Sequence, residues 1–421
     1  MAFGVNGDKG RSPVLTRVEA PSPEMVRLAD YIYEMIRARQ ALPKKPKPTD
    51  DVRFRASLLA FTDAIATIAL MPIPPHDGVY IAFGNGAYTG SEISAVHLRE
   101  IRNSLDGLGL IVCGGWLNLA SDKSKNHATR IRFTSEFRSL VEKYGLTLPD
   151  LHPPTEPVML NEPTDTAGEC PPEVEASRDI LNAYNLFIRD FDLTLPPQQW
   201  RELQRRVIEA DKTGKADKLH SGYDHRRIYL TRIFTENWER GGRLYGPFYQ
   251  GIPNDIREKL LIDGEPTVEL DYSRLHPRML FNEEGLELDR DPYAVPGFDV
   301  PKDAAKETFN RLLNSRRKIA YRPKEDSRWF DGKNAFNAYR DAMVSHLHPI
   351  AHLFQSDHGA RLQKRDSGLA INILRRCMMS GIPIYPVHDS FIVPREKEES
   401  VKLVMQEEYR IMFGFDCDVS S

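Results

Sequence analysis

Apolar side chains recur at three- and four-residue steps through much of the chain and crowd together in short runs elsewhere, so helices and strands can be read in order. Met25, Leu28, Ile32 and Ile36 share one face and predict a helix over 23–40. The denser run from Phe54 to Leu70 predicts a more deeply buried helix, ended by Pro72 to Pro75. Val79 to Phe83 is strand-like, and Gly84-Asn-Gly86 reads as a turn. From Ser91 a helix carries Leu98, Ile101, Leu105 and Leu108 on one face and closes on Gly109. Leu110 to Leu119 and Thr129 to Phe133 then flank a polar tip and predict a β-hairpin, after which Thr134 caps a helix through Tyr144.

Prolines at 149, 153, 154, 157, 163, 171 and 172 mark residues 147–172 as an interdomain linker. Beyond it, Ile180, Leu181, Tyr184 and Phe187 predict a helix over 172–190, and a second helix over 198–210 exposes Arg201, Arg205 and Arg206. Arg226 to Phe234 reads as a strand, Asn334 to Phe354 and Val401 to Phe413 read as helices, and a further helix begins at Gln363. The polar residues 1–22 predict a disordered tail, and Leu42-Pro-Lys-Lys-Pro-Lys-Pro48 a stiff basic arm.

Two apolar runs, Val268 to Asp271 and Pro383 to Val393, break the pattern by delivering one aspartate each, Asp271 and Asp389, to a strand end. A carboxylate withdrawn from water is costly unless it is paired or binds a metal. Mg²⁺ takes such oxygens and completes its shell with water and substrate phosphates. The pair therefore predicts a site for two Mg²⁺ ions, replaceable by Mn²⁺, at which a nucleotide phosphate is attacked in line. Between the two aspartates, Lys302, Lys306, Asn310 and Asn314 repeat every four residues along one side of a helix packed through Ala305, Phe309, Leu312 and Leu313. Such a lysine stripe on a helix is ordinarily a solvated face. Gly241-Gly242 before Arg243 would let backbone approach a nucleic-acid strand, or would simply be a turn followed by a surface arginine. His348 and His352 have zinc spacing without a third ligand.

With 421 residues the chain has room for two or three domains, and 41% hydrophobic with 28% charged residues fits a soluble globular protein. The net charge of −3 withholds the global signature of a nucleic-acid binder and moves attention to local basic fields at Arg201–Lys218 and Arg311–Arg328. Four dispersed cysteines indicate neither a zinc ribbon nor a disulfide framework, and point to a reducing, cytoplasmic setting. Ser57 to Met71, the longest apolar stretch, contains Asp63 and is too short to cross a membrane.

Asp271-Tyr-Ser with Arg278 resembles the first palm motif of family A DNA polymerases, and Val387-His-Asp-Ser-Phe391 resembles the third. Ser390 stands where the DNA polymerases carry an acidic residue; His-Asp-Ser-Phe is closer to phage-type and mitochondrial single-subunit RNA polymerases. Gly242-Arg243 and Gln250-Gly-Ile-Pro253 resemble the runs that precede the first motif, and the helix from Lys302 resembles the fingers helix, with Asn310 and Asn314 where apolar or aromatic residues are usual. The resemblance covers roughly residues 225–412.

It implies an α+β right-hand polymerase core at 173–421, with a short thumb (173–225), a β-sheet palm (226–290 and 360–421) and helical fingers (291–359). An N-terminal winged-helix-like domain (23–146) precedes it. By resemblance, Asp271 and Asp389 hold the metals, Lys302 and Lys306 grip the nucleoside triphosphate, and His276, Asn310 and Asn314 line the nucleotide. Arg243, Gln250, Arg278, Gln363 and His388 lie toward primer–template or single-stranded DNA. Duplex DNA would meet the winged helix through His97, Arg99 and Arg102 and a wing bearing Lys123, Lys125, Arg130 and Arg132. A small DNA polymerase without proofreading is expected. The alternatives are a primase or small RNA polymerase, a binding protein with an inactive palm, and a transcription regulator.

Overall fold

The fold is α+β. A computed structural model describes residues 15, 18, 21–40, 47–71, 79–84, 88, 91–118, 127–147, 153–161, 163–165, 167–212 and 224–421. The chain divides into two compact units, Met1–Leu151 with Trp200–His225, and His152–Gln199 with Arg226–Ser421.

The first unit runs α1 (Pro23–Gln40), α2 (Pro48–Leu70), β1 (Val79–Ala82), α3 (Ala95–Gly107), β2 (Ile111–Asn118), β3 (His127–Phe133) and α4 (Ser135–Lys143). The strands form an antiparallel sheet in the order β1-β3-β2. Leu28, Ile32, Phe61, Ile65, Leu98, Ile101, Ile131 and Phe137 fill one core, so the helical faces read from spacing are the buried ones. Ser94 and Thr134 cap α3 and α4, accepting from the backbone N–H of His97 and Phe137. Helix α2 begins earlier than its apolar run, because Pro48 starts the helix and Asp50 and Asp51 suit its first turn. Leu15, inside the stretch read as a disordered tail, is buried, and its N–H donates to the Tyr88 hydroxyl.

The outward face expected of α3 is corrected. His97 stacks edge-on to Phe54, Arg99 donates to the Phe83 carbonyl and Arg102 lies over the Phe83 ring. Val96, Asn103 and Asp106 are what α3 turns to solvent. Arg130 and Arg132 are half-buried, and Lys123 and Lys125 lie outside the described residues.

The second unit begins with β4 (Val158–Asn161), α5 (Pro172–Phe187) and β5 (Leu193–Thr194); α6 (Pro197–Lys212) carries the chain across the division. Next come β6 (Thr231–Thr235), β7 (Asn237–Tyr245), α7 (Asn254–Arg257), β8 (Leu261–Ile262), β9 (Glu265–Tyr272), α8 (Leu275–Glu283), α9 (Lys302–Asn314), α10 (Pro323–Asp326) and α11 (Gly332–His346). Helix α12 (His358–Met379), β10 (Tyr385–Val387), β11 (Ser390–Pro394), α13 (Glu398–Phe413) and β12 (Val419–Ser420) complete it. One sheet has the order β10-β11-β9-β8-β5 with β12 also on β9; the other is β4-β6-β7.

Three expected boundaries move. The proline-rich stretch 147–172 contains β4, which pairs in parallel with β6, so it is more than a linker. The expected thumb, 173–225, divides at residue 200 between the two units. The helix expected over 334–354 stops at His346 and continues as a 3₁₀ turn, because Pro349 disfavours a helical residue before it. Buried tyrosines tie helices to the main sheet: Tyr272 donates to the Met405 carbonyl and Tyr184 to that of Ile384.

Candidate active site

Strands β9 and β11 are antiparallel with Ser390 opposite Asp271. Asp389 precedes Ser390 in the two-residue turn from β10, so register alone brings the aspartates to one end of the sheet. His388, first in that turn, takes φ +60°, the left-handed conformation that tight hairpin turns use. On the other edge of β9, Ser420 of β12 lies opposite Asp271.

Alternation along β9 puts Glu269 on the same face as Asp271. Arg257 grips Glu269 through two bonds of 2.8 and 2.9 Å, and the Ser390 hydroxyl donates to the same carboxylate. Asp271 lies exposed at the mouth of the site. Even so, loss of water, then the charges of Asp389 and Glu269, push its pKa up to about 6 against the pull of the Tyr272 N–H and Lys306. Among the described residues no three His, Cys, Asp or Glu side chains gather as a metal-binding group. Two carboxylates within electrostatic reach of each other at a solvent-reached edge nevertheless suit a hard divalent cation that keeps water and phosphate ligands.

Helix α9 turns Lys302, Lys306, Asn310 and Asn314 outward and buries Ala305, Phe309, Leu312 and Leu313. Lys306 stands nearest the carboxylates: its charge reaches Asp271, and its ammonium lies 6.0 Å from the Tyr293 ring centroid. Asn314 donates to the Asn310 carbonyl and packs on Gly359 of α12, where any Cβ would collide with it.

Gly241 (φ +81°) and Gly242 (φ +80°) interrupt the β6–β7 pairing as a bulge. A Cβ on Gly242 would come within 2.6 Å of the Phe234 ring. The bulge aims Arg243 inward, to 3.3 Å from Asp366 and 3.4 Å from His276, so it is not the surface arginine of a plain turn. No protein-family model matches the chain, and no curated protein matches it. The site therefore stands on its own geometry.

Of the residues expected at nucleic acid, His388 lies among them, within electrostatic reach of Arg243, Asp389 and Asp366. Burial, then Arg243, lowers its pKa, and its Nδ1 has no partner among the described residues. Gln250 instead donates to the Leu244 and Pro386 carbonyls, fastening β10. Arg278 reaches the Asp416 carbonyl and the Asp418 carboxylate. Gln363 lies on α12 and is half-buried.

Among the described residues several cations of the basic fields are paired locally. Arg205 and Arg206 pair with Glu202; Arg311, Arg316, Arg322 and Arg328 pair with Asp326, Asp357, Glu325 and Glu307. His348 and His352 lie in a 3₁₀ turn, where a four-residue step does not put them on one face, and His352 faces Glu284. Asp366, Glu269 and Arg257 escaped the sequence reading. Only Glu269 had a signal, its two-residue spacing from Asp271.

Proposed function

We propose that the chain is a template-directed nucleotidyltransferase, a small DNA polymerase with a palm-like sheet, fingers-like α9 and a winged-helix-like N-terminal unit. The observation that carries this reading is the strand register that sets Asp271 beside Asp389, with Lys306 of α9 in electrostatic reach. Asp271 and Asp389 would hold Mg²⁺, which when bound neutralises phosphate charge and activates the attacking oxygen. Lys306, with Lys302 one turn earlier, binds and orients the triphosphate tail. Arg243 and His388 line the approach of the primer end, and His276 faces the sugar. Before metal arrives, Asp271 holds a proton below about pH 6, because partial loss of water and then the charges of Asp389 and Glu269 disfavour its ionised form.

A second reading, RNA synthesis, is favoured by one feature. Ser390 bonds Glu269 where the DNA polymerases it resembles carry an acid. The N-terminal unit's order of helix, hairpin and helix supports a winged helix. Its α3 presents Val96, Asn103 and Asp106, which favours a protein partner over duplex DNA. Primer extension with dNTPs and with NTPs in turn tests the reading. Extension with dNTPs supports it, extension confined to NTPs supports the RNA-making alternative, and no extension with either refutes both.

A further inference from the structure

Asp366 lies on α12 with its side chain 3% exposed, a carboxylate almost wholly removed from water. Such a group keeps its charge only where donors reach it. Two side chains converge on a single oxygen: Arg243 Nη2 at 3.3 Å and His276 Nε2 at 3.5 Å from Asp366 Oδ2. Arg243 can only donate. Its Nη2 also lies 3.4 Å from His276 Nε2, so the three side chains hold one another. The ring orientation is held from α12 and β7 together.

His276 itself stands in the first turn of α8, five residues after Asp271. Arg274, at φ +57°, turns the chain from β9 into that helix. The imidazole is thus placed by its own element, on the turn that follows Asp271, and oriented by two others. Nothing in β9 or α8 alone would hold the ring in one rotamer.

Building on the nucleotidyl-transfer reading, we propose that Asp366 is a specificity-determining positioning residue: by holding Arg243 and His276 on one oxygen it fixes the imidazole as the wall facing the ribose 2′ position of the incoming nucleotide. Sugar discrimination then belongs to the Arg243–Asp366–His276 unit. His276 alone does not set it.

The test is a double-mutant cycle read as a ratio. Single-nucleotide incorporation is measured with a dNTP and the matching NTP for wild type, Asp366→Asn, His276→Gly and the double variant, with kcat and KM separated. Asp366→Asn should lower the dNTP preference about tenfold, through KM for the NTP, and the double variant should discriminate no worse than His276→Gly alone. A preference unchanged in Asp366→Asn, an equal loss for both sugars, or additive losses in the double variant would each overturn the proposal. If Asp366→Asn does not fold, Asp366→Met with Arg243→Met removes both charges of the buried pair, and the ratio is read there. A wild type that uses both sugars equally overturns the assignment while leaving nucleotidyl transfer standing; one that incorporates neither overturns the functional reading itself.

Discussion

Asp271 carries a conflict at the scale of single residues, because the fold places two further carboxylates near it. Its folded pKa, about 6, lies above the ordinary 3.8. An acid shifted upward binds its proton more tightly in the folded state. Its contribution to stability is therefore full below the ordinary value and lost as pH rises through 6. Asp271→Asn should thus match wild type in thermal stability near pH 4 and exceed it at pH 7 to 8 in the presence of chelator. Exposure at the mouth of the site screens part of the repulsion and keeps the gain modest. Melting curves across that range check this; a variant less stable than wild type at pH 8 would contradict it. Asp271, Asp389 and Lys306 were legible because each sits in a short run whose own pattern is unusual. Asp366 was not, since its meaning depends on Arg243, 123 residues away.

Among elements, the pairing of β9 with β11 does the positioning, and the Arg257–Glu269 ion pair with Ser390 fastens it. Both partners are mostly buried, with side chains 9% and 22% exposed. Arg257→Ala should therefore cost about 3 kcal/mol, leaving Glu269 uncompensated beside Asp271. Arg257→Lys should recover only part, because an ammonium cannot make the two parallel bonds. Chemical denaturation reads both, and an unchanged midpoint in Arg257→Ala would show that the clamp is idle. The helix over 302–314 followed from local periodicity, whereas the apolar run 383–393 gave no sign that it folds as a hairpin with Asp389 in its turn. Strand β4 gave none either, because its partner β6 lies some seventy residues on and prolines flank it on both sides.

For the whole molecule, the division at residues 151 and 152 changes what a separable catalytic part would be. A fragment from Pro172 lacks β4 and the Pro157 carbonyl that accepts from Arg232 N–H, which leaves the edge of β6 bare. A fragment from His152 keeps both and should melt higher by about 5 °C or more. Equal melting would mean that β4 adds nothing to the unit. Among the described residues no helix is long and apolar enough to cross a membrane.

The central claim is that Asp271 and Asp389 act together on a nucleotide phosphate. The most direct test is single-turnover extension of a labelled primer on a template, with Mg²⁺ and dNTPs, by wild type, Asp271→Asn and Asp389→Asn. Wild type should add the templated nucleotide, and each variant should be slower by about a thousandfold or more while still binding primer–template. Extension by either variant at the wild-type rate would contradict the account.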